Sequence, residues 1–129
     1  MRKLFWIIFV LVSVCGILFI IFSFSNMPNV SHGSVNYQIN EQNTTISLSN
    51  EDLSFLRKTF NGKFLYKGNL YCGFDESTSV VLGDQIFCIA RDGCAKVYWK
   101  NQNKYFNLSN REYLALMECL KKYGFVISG

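Results

Sequence analysis

The stretch Ser77–Trp99, STSVVLGDQIFCIARDGCAKVYW, decides the fold class. Its apolar residues repeat with a period of two, and Gly83-Asp84 and Asp92-Gly93 stand where two-residue hairpin turns of the primed kind belong. The reading is a three-stranded antiparallel meander. With two residues in each turn, Val81 faces Ile86, Cys88 faces Val97 and Ala90 faces Ala95. Val81, Ile86, Cys88, Ala90, Ala95, Val97 and Trp99 then line the expected core face. Leu82, Phe87, Ile89, Arg91, Cys94, Lys96 and Tyr98 fall on the other face, which is mixed rather than polar and is expected to be covered in part.

One phrase occurs on both sides of the meander, as Leu48-Ser49-Asn50-Glu51-Asp52-Leu53 and Leu108-Ser109-Asn110-Arg111-Glu112-Tyr113. Each serine suits the N-cap of a helix, the acid three residues later can reach back to the cap, and Leu48 with Leu53 or Leu108 with Tyr113 can form the hydrophobic staple. Both phrases therefore read as capping boxes that open helices over 50–60 and 110–123, ending near Gly62 and Gly124. What the two share is capping chemistry, so the repeat reads as convergence and not duplication. Further strands are expected at Lys63–Lys67 and Lys104–Leu108, with a weaker one or two within Val35–Leu48. The fold class is α+β: a small antiparallel sheet packed with two helices over residues 45–129.

Ahead of this domain, Arg2 and Lys3 are followed by no charged side chain until Glu41. Leu4–Phe22 reads LFWIIFVLVSVCGILFIIF, long for the apolar stretch of a cleaved signal and close to the length of a membrane span. Residues 1–25 are accordingly read as a cytoplasmic tip and an uncleaved signal anchor spanning about 4–22. The positive residues before the span place the N-terminus inside and the domain outside. The competing reading is cleavage at Ser23-Phe24-Ser25, before Asn26, which would make the protein a secreted one. Cys15 is an ordinary small helix residue, because Val14 before it and an apolar run after it do not suit lipidation. Residues 26–44 are expected to be a flexible stalk with a possible edge strand; they hold the single proline and His32, the single histidine.

Thirteen Lys/Arg less Arg2 and Lys3 leave eleven against nine Asp/Glu for the outer part, with no basic run longer than two. Such interspersed charge is a solvated surface, and nucleic acid is not expected as a partner. The partners expected are the membrane, through residues 4–22, and a protein of the cell envelope; the oligomeric state is left open.

Four cysteines lie beyond the anchor: Cys72, Cys88, Cys94 and Cys119. An even number in a small outer domain points to disulfides. Cys88 and Cys94 project to opposite faces in the register above, and Cys119 lies beside the Leu116/Leu120 stripe of the last helix. The pairing favoured is Cys88–Cys119 with Cys72–Cys94. No Cys or His spacing suits zinc and no C-x-x-C is present, so neither a metal nor any other cofactor is expected.

No catalytic motif is present, and the lone histidine gives a nucleophile no base within the domain. Asp75-Glu76 reads as turn chemistry rather than an acid/base pair. No catalytic residue is assigned. Tyr98, Trp99 and Tyr105 with Lys96 cluster at one end of the expected sheet, and aromatic rings with polar handles suit recognition. The function expected is a membrane-anchored binding or accessory module, inhibitory or sensing and non-catalytic. The alternative is an extracytoplasmic enzyme or thiol-redox protein with an unorthodox site.

NGKFLY and Cys72-Gly73-Phe74, then IARDGCAKVYWK with its Asp92-Gly93-Cys94, then a helix closing in KKYG, carry a resemblance over about residues 50–125. The chain resembles small membrane-anchored proteins of Gram-positive bacteria that have no assigned activity. The resemblance implies an outside location, agrees with a Cys72–Cys94 link and carries no function over.

Overall fold

The repeated Leu-Ser-Asn phrase starts helices α2 (Asn50–Phe60) and α3 (Asn110–Lys121) in a computed structural model that describes residues 1–68, 73–74, 77–90 and 93–125. Ser109 and Glu112 complete a reciprocal capping box. At α2 the box is only half made. Ser49 accepts from the Asp52 N–H, but the Asp52 carboxylate, one methylene shorter than that of Glu112, takes the Ser49 hydroxyl and not the Ser49 N–H. The chain leaves α3 through Gly124 at φ +88°, where the Gly124 N–H donates to the Lys121 carbonyl and the Phe125 N–H to that of Leu120. That bond pair is a Schellman closure, which only glycine makes without strain. A Cβ at Gly124 would also stand 2.7 Å from the Tyr37 hydroxyl.

The strands are β1 (Gly33–Ile39), β2 (Gln42–Ser47), β3 (Ser79–Leu82), β4 (Gln85–Ile89), β5 (Lys96–Trp99) and β6 (Lys104–Asn107). They form one antiparallel six-stranded sheet in the order β2-β1-β3-β4-β5-β6. With the N-terminal helix α1 (Arg2–Ser23), the fold is α+β, with three α-helices among the described residues. The sheet is larger than the expected three-stranded meander with flanking strands. The weak signal in Val35–Leu48 is a full hairpin turned by Asn40 and Glu41, both at positive φ. Among the described residues Lys63–Lys67, expected to be a strand, makes single bridges, Phe64 to Phe24 and Tyr66 to Tyr105.

One face of the sheet carries α2 and α3, and the core lies between them. Val80, Leu82, Phe87, Ile89, Val97 and Trp99 point into it from β3–β5, against Leu53, Leu56 and Phe60 of α2 and Leu116 and Leu120 of α3. Phe60 sits at its centre, 5.1 Å from the ring of Phe87 and 5.4 Å from that of Phe106. This corrects the expected core face. The β3–β4 register is as read, Val81 against Ile86, but the buried side is Leu82 and Phe87 rather than Val81 and Ile86. Both faces of these strands are apolar, so alternation does not choose between them. Cys88 and Ala90 are buried as well, but Phe87 and Ile89 bring the larger apolar side chains, and these are the ones turned toward the helices.

The β4–β5 register also differs. Ile89 pairs with Val97 and Cys88 with Tyr98, one residue from the expected Cys88–Val97 pair. Residues 90–96 separate the paired Ile89 and Val97, an odd number where the expected pairing about a two-residue turn needs an even one; Asp92 of that turn lies outside the described residues. A one-residue slip moves every side chain across the sheet. Cys88 therefore stands on the face opposite α3 and Cys119, and both are buried thiols, so the expected Cys88–Cys119 disulfide is not formed. Cys94 is disulfide-bonded, and Cys72 lies outside the described residues, as do Asp75 and Glu76.

The segment expected to be a flexible stalk is strapped to the domain. Ser25, only 4% exposed, donates its hydroxyl to the Phe60 carbonyl and its N–H to the Lys63 carbonyl. Its hydroxyl and carbonyl accept the N–H groups of Lys63 and Gly62. Met27 is buried and bonded to the Asn61 side chain, the Pro28 carbonyl accepts from Arg57 Nε, and the His32 carbonyl accepts from the Gly83 N–H. Serine and asparagine here serve as hydrogen-bond partners for the end of α2. α1 is apolar all round and exposed along Leu4–Ile20.

Candidate binding face

On the face of the sheet away from the helices, the β5–β6 register sets Tyr98 directly opposite Tyr105, with ring centroids 4.9 Å apart. Tyr66 joins them because its N–H and C=O both bond to Tyr105, at 3.0 and 2.8 Å, which brings its ring to 6.1 Å from that of Tyr105. Phe74 lies 6.1 Å from Tyr98 and 5.4 Å from Tyr105. Four rings from separate stretches of chain thus form one half-buried cluster.

The rim is polar. The Tyr98 hydroxyl donates to Asn103 Oδ1 at 2.9 Å, and the Tyr66 hydroxyl to Asn107 Oδ1 at 2.5 Å. Lys96 Nζ donates to the same Asn107 oxygen at 3.3 Å. Asn103 is placed by its own left-handed backbone, φ +50°, which closes the single 3₁₀ turn Lys100–Gln102 between β5 and β6. Burial, with the neighbouring Tyr98 and Tyr66, raises the Tyr105 hydroxyl above the usual phenol value.

Of the residues singled out from sequence, Lys96, Tyr98 and Tyr105 come together here. Trp99 does not. It is 6% exposed on the core face, 5.2 Å from the ring of Phe87, and its indole N–H donates to Gln85 Oε1. Neighbours along a strand point to opposite faces, so Tyr98 and Trp99 cannot share one. Tyr66 and Phe74 were missed. Tyr66 could have been found from its alternation with Phe64, whereas nothing in the sequence ties Phe74 to the sheet.

A second concavity, of about 280 Å³, lies between α2 and α3 and is lined by Glu51, Asp52, Phe55, Ala115, Glu118, Cys119 and Lys122. Its central acid is engaged by the protein itself: Lys122 donates to Asp52 Oδ1, and Tyr123 and Ser49 donate to Oδ2. Burial, reinforced by the Asp52 carboxylate, pushes the Cys119 thiol up to about 11. A thiol so protonated is a poor nucleophile at neutral pH. Among the described residues no group of His, Cys, Asp and Glu is arranged to hold a metal ion.

Compared with known proteins, the chain matches no family model, no curated protein and no solved structure.

Proposed function

We propose that this protein is a non-catalytic binding module, held on the outer side of a cytoplasmic membrane by α1 with its N-terminus inside, and that its partner is a protein of the cell envelope. The reading also takes the chain as akin to the small membrane-anchored Gram-positive proteins it resembles, with Cys72 as the partner of Cys94.

The observation that carries it is the cluster of Tyr66, Phe74, Tyr98 and Tyr105, stacked at 4.9–6.1 Å on the helix-free face with Lys96 and two asparagines at its rim. Rigid rings with polar tips supply contact area at low entropic cost, and aromatic residues are enriched in protein interfaces. Two further features support anchorage. The apolar run is long for a removable signal, and a cut before Asn26 would delete the buried Ser25 that the fold uses.

The test is photo-crosslinking in intact cells from p-benzoylphenylalanine at position 98, with position 45 on the far edge strand β2 as reference. The expected result is one discrete protein adduct from position 98 that disappears when Tyr66→Ala and Tyr105→Ala are combined. An adduct pattern identical at positions 98 and 45 would remove the reading.

A further inference from the structure

Chain continuity places one edge of the domain at the end of the apolar helix. α1 is 22 residues long, about 33 Å at the usual helical rise, and it ends at Ser23, whose carbonyl accepts the Leu65 N–H at 2.8 Å. The next residue, Phe24, forms a β-bridge with Phe64, and their rings meet edge to face at 6.0 Å. Phe24 is 41% exposed and Phe64 55%, the most exposed large apolar side chain among the described residues between β1 and α3. Ser25 then bonds to Lys63 and Gly62, so the segment 61–65 has no slack with which to move away from the helix exit.

Resting on the anchor reading above, we propose that Phe24 and Phe64 form an interfacial anchor that seats this edge of the domain on the lipid headgroup layer. The occupant follows from continuity. Residues at the end of a span lie at headgroup depth, where aromatic rings are favoured, and Phe64 is the bridge partner of Phe24, the residue that follows the span. Lys67, exposed and cationic, is near enough in sequence to meet lipid phosphates. Tyr66 follows Phe64 by two residues, about 7 Å of extended chain, so the aromatic face begins beside the bilayer. Its partner is therefore engaged at the membrane surface.

The full chain, reconstituted into phosphatidylglycerol–phosphatidylethanolamine vesicles, would carry p-benzoylphenylalanine at one position at a time, and lipid adducts would be read by mass after irradiation. Position 19 within α1 reports the span, positions 64 and 24 the proposed anchor, and position 45 on β2 the distant edge. Lipid adducts at 19, 64 and 24, exceeding those at 45 by about tenfold, are expected. Adducts at 19 but neither 64 nor 24 would overturn the seating and leave the span intact. Equal adducts at 64 and 45 would overturn it as non-specific. No adduct at 19 would overturn both readings.

Discussion

The Tyr123 hydroxyl, just beyond α3, donates a 2.5 Å hydrogen bond to the Asp52 carboxylate in the first turn of α2, and accepts the Ser49 N–H at 3.1 Å. The acceptor for the Ser49 N–H that Asp52 is too short to supply comes from 74 residues away. Lys122 adds its ammonium to the other Asp52 oxygen at 3.2 Å, so the start of one helix and the end of the other form a single polar joint.

Tyr123→Phe removes a donor to a charged acceptor and the acceptor for Ser49, and is expected to lower stability by about 1.5–3 kcal/mol, as for hydrogen bonds to charged groups. Denaturant unfolding in detergent, combined with Asp52→Asn in a double-mutant cycle, measures the coupling. Strictly additive losses would show that the two residues do not act as a pair.

Acid should loosen the same joint. The Tyr123 bond, with Lys122 and Ser49, outweighs burial and holds Asp52 below its ordinary 3.8. Burial is the largest single influence on Glu112 and acts upward, but the Lys63 and Ser109 bonds together hold that carboxyl below its ordinary 4.5. Both groups bind protons more weakly when folded. Their contribution is complete above those ordinary values and is lost as pH falls through the depressed ones. Stability measured from pH 6 to 2 should fall along that limb, and Asp52→Asn should flatten it; an unchanged slope in the variant would count against the assignment.

Cysteine accounting separates the pairings. Unfolded under non-reducing conditions, the chain should take alkyl groups at Cys15, Cys88 and Cys119, and at all five cysteines only after reduction. In the folded protein Cys119 should react slowly, being 5% exposed with its thiol near 11. Peptide mapping that finds Cys88 joined to Cys119 would contradict the sheet register.

Ser25 makes the helix exit part of the fold. Ser25→Ala deletes a bond to the Phe60 carbonyl at 2.6 Å and one from the Lys63 N–H at 2.8 Å, at a cost of about 1–3 kcal/mol for groups left buried and unmatched. A chain beginning at Asn26 should lose at least as much relative to one beginning at Ser23. Equal melting temperatures for the two would return 23–32 to the status of a free linker.

Much of the architecture could be read locally. Both helices, the glycines that end them, the Gly83-Asp84 hairpin and the apolar helix depend on short-range rules: a serine before a helix, a positive φ after it, an unbroken run of apolar side chains. The aromatic site was legible in part, because Lys96, Tyr98 and Tyr105 share a face through strand alternation that the residues themselves reveal.

What only the tertiary structure decided are the choices between locally equivalent alternatives. SVVL and QIFCI are apolar on both sides, so the buried face of β3 and β4 was settled by the volume of Phe87 and Ile89 against two helices. The β4–β5 register, Ile89 against Val97 and Cys88 against Tyr98, then goes with the separation of Cys88 from Cys119. Ser25, Tyr66 and Tyr123 reach partners far along the chain, and no local pattern marks a hydroxyl or a ring for a distant acceptor. Periodicity and capping operate within a turn or a strand and are written in adjacent residues; which face is buried and which distant groups meet is decided by packing the whole chain at once.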